Sequence, residues 1–142
     1  MNASKWTGLW FLAAGFAAPA FADPCEAKVP SRLGDTFSGE VRYVGDGDSL
    51  CVGKTADPKE WIEVRLLDFD APETNKKDQR AQALVATGIL ERIALGKAIS
   101  CKVGKGRIGR TTTHDRVFGQ CTIAGVGVGD LMREAGAPTG GN

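Results

Sequence analysis

The stretch Glu60-Trp61-Ile62-Glu63-Val64-Arg65-Leu66-Leu67-Asp68-Phe69-Asp70-Ala71-Pro72-Glu73 constrains the fold more than any other part of the chain. Ile62, Val64 and Leu66 alternate onto one face, while Glu63, Arg65 and Leu67 take the other, the period of a half-buried strand. Pro72 has no amide proton and pushes Ala71 into an extended conformation, so the strand is expected to end just before it. An arginine then stands on the non-core face, with two carboxylates, Asp70 and Glu73, at the mouth of the strand. A cation beside hard oxygen anions suits a phosphate and a metal held together. Taken alone, the same charges also suit a solvated strand surface.

Around this stretch the period stays at two and then changes. Phe37 to Val44 reads as a first strand, with Phe37, Val41 and Tyr43 on one face and Glu40 and Arg42 on the other. Gly45-Asp46-Gly47-Asp48 reads as a turn and Ser49 to Val52 as the return strand. From Asp78 the period becomes 3.6, and Ala81, Leu84, Val85, Gly88, Ile89, Ile93 and Ala94 form one apolar stripe. Asp78 serves as the expected N-cap and Gly96 ends the helix. Ala98 to Val103 and Val117 to Ile123 read as two more strands, and Val128 to Ala135 as a short second helix. Three strands, a helix, two strands and a small helix predict a mainly β fold with helices, a five-stranded barrel of the oligonucleotide-binding (OB) type capped by the longer helix.

The N-terminus reads differently. Residues 1–22 carry one charge, Lys5, followed by the apolar run Trp6 to Phe16 and the sequence Pro19-Ala20-Phe21-Ala22, the pattern of a signal peptide cleaved after Ala22. The run is shorter than the ~20 apolar residues a membrane span needs. A chain starting at Asp23 is then expected to be periplasmic or secreted, with no membrane anchor and as a monomer. Residues 23–36 read as an N-terminal extension, 37–137 as the domain and 138–142 as a tail.

Without Lys5 the chain carries 17 basic and 17 acidic residues, so attraction to a polyanion must be local. The segment between Val103 and Val117 supplies it: Lys105, Arg107, Arg110, His114 and Arg116 lie there among glycines and threonines, a composition that contacts phosphates. The four cysteines lack the C-x-x-C spacing of a zinc site, and His114 is the single histidine, so two disulfides are expected in an exported chain. Cys101 shares a strand face with Ile99 and Val103, and Cys121 with Val117 and Ile123. If those strands pair as a hairpin the two sulfurs meet, which leaves Cys25 with Cys51.

Val44-Gly-Asp-Gly-Asp-Ser-Leu, then Val64-Arg-Leu-Leu-Asp-Phe-Asp-Ala-Pro-Glu, then a basic loop with an arginine before the last strand form a specific series. It resembles the staphylococcal nuclease (thermonuclease) family, over about Phe37 to Gly136. The resemblance implies a calcium-dependent nuclease that hydrolyses phosphodiester bonds of DNA and RNA with little sequence preference. It gives Asp48, Asp70 and the Ala71 carbonyl to calcium, Arg65 and Arg116 to the scissile phosphate, and Glu73 to the general base. Ala71 and Ser49 stand where the family has threonines. His114-Asp115 stands where it has tyrosine-glycine. Placing the second arginine at Arg116 leaves a last strand of seven residues, whereas the register through Phe118-Gly119-Gln120 replaces the guanidinium with an amide. Lys105, Arg107, Arg110 and His114 are the expected substrate contacts. The alternative is a barrel that binds single-stranded nucleic acid or another polyanion without catalysis; it calls for exposed aromatics, for which Tyr43, Trp61, Phe69 and Phe118 are the obvious candidates.

Overall fold

Alternating segments that each bury one face must close on one another, and here they close completely. The structure, a computed structural model, describes residues 23–140; the expected signal peptide and the last two residues of the expected tail lie outside them. The strands are β1 (Thr36–Asp46), β2 (Ser49–Gly53), β3 (Ile62–Leu66), β4 (Ala98–Val103), β5 (Thr112–Thr113), β6 (Arg116–Ile123) and β7 (Val126–Gly127). The helices are α1 (Arg80–Ala94) and α2 (Val128–Glu134). β1 pairs with β2 and β4, β2 with β3, and β4 with β6, all antiparallel. A parallel β3–β6 pairing completes a five-stranded barrel with two short extra strands. This is the OB-like architecture that the sequence predicts.

The barrel is filled by Val41, Val44, Leu50, Val52, Val64, Leu66, Val103 and Val117, and α1 closes one end. Three details differ from the sequence expectation. In β1 a bulge between Val41 and Tyr43 shifts the register, so Val44 enters the core and Tyr43 stays half-buried. In α1 the core face is Ala83, Ala86, Ile89, Leu90 and Ala94, while Leu84 and Val85 are 62% and 53% exposed. The small alanines let the helix press close on the β1–β2 turn; larger residues at that face would hold it away. The N-cap position falls on Gln79 rather than Asp78; its side chain caps no helix amide and instead accepts the Glu73 amide of the preceding loop at 3.0 Å. Gly96, at φ +78°, ends it as expected.

The N-terminal extension is tied down rather than loose. Glu26 and Ala27 donate to the Pro58 and Trp61 carbonyls, and Gly34 to Val103, each at 3.0 Å. Cys25 is bonded to Cys51 and Cys101 to Cys121, the expected pairs, with Cys101 directly opposite Cys121 on β4 and β6. Two such pairs are compatible with an oxidising extracellular or periplasmic location. Among the described residues no helix is long and apolar enough to cross a membrane.

Candidate active site

β3 ends at Leu66, well ahead of Pro72 where the sequence pattern ends it, and the irregular chain from there on has carbonyls that need donors outside the ladder. Arg65, from the same strand, satisfies two of them: its Nη1 donates to the Leu66 carbonyl at 2.7 Å and the Phe69 carbonyl at 3.0 Å. Its Nη2 donates to Asp70 Oδ1 at 2.5 Å and lies 3.1 Å from Asp48 Oδ2. One guanidinium therefore organises the turn at the end of its own strand and joins it to the β1–β2 turn.

That second turn is built by Asp46. Its Oδ1 accepts the Asp48 amide at 3.1 Å and the Ser49 hydroxyl at 2.8 Å. Asp48 Oδ2 in turn accepts the Ala71 amide at 2.7 Å, so both carboxylate-bearing loops are bolted together. Gly47 lies between Ala71 and α1: a Cβ there would stand 2.6 Å from the Ala71 Cβ and 2.7 Å from that of Ala86. The Asp-Gly-Asp turn is thus fixed by its contact with the helix as well as by hairpin geometry.

The electrostatics follow from burial. Asp48 is 6% exposed. Burial and the neighbouring Asp46 charge push its carboxyl up to about 7, against the pull of Arg65 and the Ala71 amide. Burial also acts to raise Asp46, but hydrogen bonds from Ser49 and the Asp48 amide outweigh it and hold that carboxyl below its ordinary value.

Two of the three metal residues expected from the sequence are brought together. Asp48 and Asp70 aim oxygens at one cationic nitrogen of Arg65, and the donors are all oxygen, which suits calcium. Ala71 is buried, and its carbonyl lies against Gly140, where a Cβ would come within 2.5 Å. The Gly140 amide donates to the Asp70 carbonyl at 2.8 Å, so residues 138–140 pack onto the site instead of trailing as a tail.

Arg116 opens β6. Since Arg65 is registered with Phe118, Arg116 stands two residues earlier on the same face of the β3–β6 pair. Its guanidinium pulls on Asp46 and lies 3.9 Å from Glu63 Oε1. Glu73 is exposed, and among the described residues its carboxylate has no hydrogen-bond or ion-pair partner. Of the four expected substrate contacts, Arg107 reaches the centre, with Nη2 3.7 Å from Asp70 Oδ2. It lines a cleft of about 380 Å³ with Arg65, Asp70, Phe118 and Arg133. Arg110 and His114 line a separate hollow that also ends on Phe118. Lys105 is exposed and touches neither group.

Three residues here carry more than their sequence positions suggest. Phe118 divides the two hollows, whereas Phe69 is buried and Trp61 covers Gly53. Asp68 accepts the Gly129 amide at 2.9 Å and so caps α2 from a distant loop. Glu63, on the face expected to be solvated, is 8% exposed, because the N-terminal extension runs over it. Burial, then the charges of Asp23 and Asp115, push its carboxyl up to about 8. The alternation pattern gives its face correctly, but a period of two carries no signal for a segment folding over that face. No protein-family model matches this chain, and no curated protein does.

Proposed function

We propose that this protein is a nuclease, a calcium-dependent phosphodiesterase acting on DNA and RNA with little sequence preference, exported to the periplasm or secreted. The observation that carries this reading is Arg65 held between Asp48 and Asp70 at one end of the barrel. Phosphodiester hydrolysis needs negative charge balanced at phosphorus and a positioned water. Asp48, Asp70 and the Ala71 carbonyl are the residues that would hold calcium, which when bound would supply Lewis acidity toward a phosphate oxygen. Arg65 and Arg116 are planar donors on one face, suited to forked contacts with the remaining phosphate oxygens. The exposed Glu73 carboxylate is accessible to take a proton from the attacking water. Arg107, Arg110, Lys105 and His114 are suited to flanking phosphates, and Phe118 to a nucleobase face.

Incubating the protein with plasmid and RNA in calcium, magnesium or chelator tests the reading. Calcium is expected to support cleavage better than magnesium, and chelator to abolish it, because the donor set is a loose one of oxygens. Phe118 between two basic hollows also favours a second reading, a binding module for single-stranded nucleic acid. Salt-sensitive binding of oligonucleotides with no cleavage under any metal would establish that module and exclude the nuclease.

A further inference from the structure

We propose that Asp23, Glu63 and Asp115 form a second divalent-cation site, for a hard ion of the calcium kind, on the outer face of β3 and β6. Their carboxylate oxygens lie within 4.8 Å of one another, about twice a calcium–oxygen bond of roughly 2.4 Å. Glu63 is 8% exposed, and its Oε2 is buried with no hydrogen-bond partner among the described residues. Folded proteins seldom leave such an atom without a donor or an ion. Oε1 is directed to Arg116 at 3.9 Å, so the orphaned oxygen is the one available to a cation. Three carboxylates against one guanidinium leave an excess of two negative side-chain charges when all are ionised, or of one net charge once the α-amino group of a chain starting at Asp23 is counted, and a divalent ion offsets that excess. The raised Glu63 carboxyl agrees with this excess, since like charges and burial are what raise it.

The site is held by the fold. Cys51 is the cross-strand partner of Glu63, and its bond to Cys25 brings Asp23 over that glutamate. Asp23 Oδ1 accepts the Cys25 amide at 3.0 Å, which fixes the carboxylate and leaves its other oxygen for a ligand. Asp115 sits in the two-residue turn between β5 and β6, after His114 at φ +53°. Three separate segments therefore converge, and a cation here joins the N-terminal extension to β3 and β6. Asp23 also neighbours Cys25 and Cys51, but those sulfurs are bonded to each other and hold no metal. The proposal uses neither Asp48 nor Asp70 and does not rest on the nuclease reading, with which it shares only Arg116, the guanidinium facing Glu63.

The test reads metal, not turnover. In an Asp48→Asn/Asp70→Asn background, calorimetric titration with calcium chloride is expected to show one remaining site. Adding Asp23→Asn and Asp115→Asn, both in chain segments at the surface, is expected to weaken it by at least ~10-fold, since affinity follows ligand charge. Circular dichroism checks that each variant is folded. Crystals of the unaltered protein soaked in manganese chloride provide the second measurement, with an anomalous peak expected beside Glu63 Oε2. No uptake up to roughly 10 mM calcium, weaker than known carboxylate modules, overturns the site. Uptake unchanged by the two Asn substitutions, or a manganese peak confined to Asp48 and Asp70, overturns it equally. Failure of DNA cleavage in the unaltered protein bears only on the nuclease reading.

Discussion

Arg65 and Arg116 differ in what holds them, and their substitutions should differ accordingly. Arg65 has acceptors on both terminal nitrogens, two of them backbone carbonyls of the turn it supports. Arg65→Ala is expected to cost both activity and stability, as it leaves Asp48 buried without its cation. Among the described residues the Arg116 side chain is tethered only by the long contact to Glu63. Arg116→Ala should therefore cost less stability than Arg65→Ala, through Glu63 alone, while turnover drops at least ~100-fold, the scale of one lost transition-state donor. Arg110→Ala should weaken nucleic-acid affinity modestly and in a salt-dependent way. Kinetics with calorimetry on the three variants separate these outcomes; normal turnover in Arg116→Ala would remove it from the site. Glu63 adds a pH effect in chelator, where Asp23, Asp115 and Arg116 are the charged groups facing it. Its folded-state carboxyl lies above the ordinary value of 4.5, at about 8, so the native state binds the extra proton between them. Stability from that proton is present below about pH 4.5 and is lost as pH rises towards 8. Glu63→Gln should consequently raise the melting temperature at pH 8.5 and change it little at pH 4.5; an equal shift at both would mean that packing, not charge, is responsible.

At the scale of elements, what was legible in the sequence is what one strand or helix decides within itself. The alternation of Ile62, Val64 and Leu66 and the glycine ending α1 appear where local pattern puts them, whereas β3 stops at Leu66, short of the proline expected to end it. What was not legible depends on a neighbour. The face of α1 turns on whether alanine or leucine approaches the β1–β2 turn, and Ala86 against Gly47 decides it. β5, two residues long, exists only as a partner to β6. Arg65 and Asp70 were legible together by residue type and spacing and Asp48 joined them through the family resemblance, whereas Glu63 and Asp68 needed the tertiary fold. The helix contact gives a prediction at this scale. Gly47→Ala places a methyl against Ala71 and Ala86, and overpacking of this kind costs about 1–3 kcal/mol. Because Ala71 also binds Asp48, the substitution should disturb calcium affinity as well as stability. Denaturant titration and calorimetry should find both falling together; a stable variant with intact calcium binding would show that the turn is not held by the helix.

Across the whole molecule the two disulfides close loops of similar length but guard different things. Their partners are 26 and 20 residues apart, and loop entropy alone assigns each about 3 kcal/mol. Their surroundings separate them. Cys101 and Cys121 are 3% and 0% exposed, inside the barrel core, and join strands already paired by a ladder. Cys25 is half-buried in the extension, where Glu26 and Ala27 contribute two further hydrogen bonds. Reductant should therefore open Cys25–Cys51 first, because thiolate attack needs access to a sulfur. Opening it should free residues 23–27 and uncover Glu63 while the barrel stays folded. Hydrogen exchange should then rise at Glu26 and Ala27 and remain slow in β4 and β6. Cys101→Ala/Cys121→Ala should instead lower the melting temperature of the entire domain, by roughly 10 °C or more, since the loss adds a cavity to the missing cross-link. Reduction of Cys101–Cys121 ahead of Cys25–Cys51, or exchange rising first in β4 and β6, would reverse this order and place the weak point of the fold in the barrel itself.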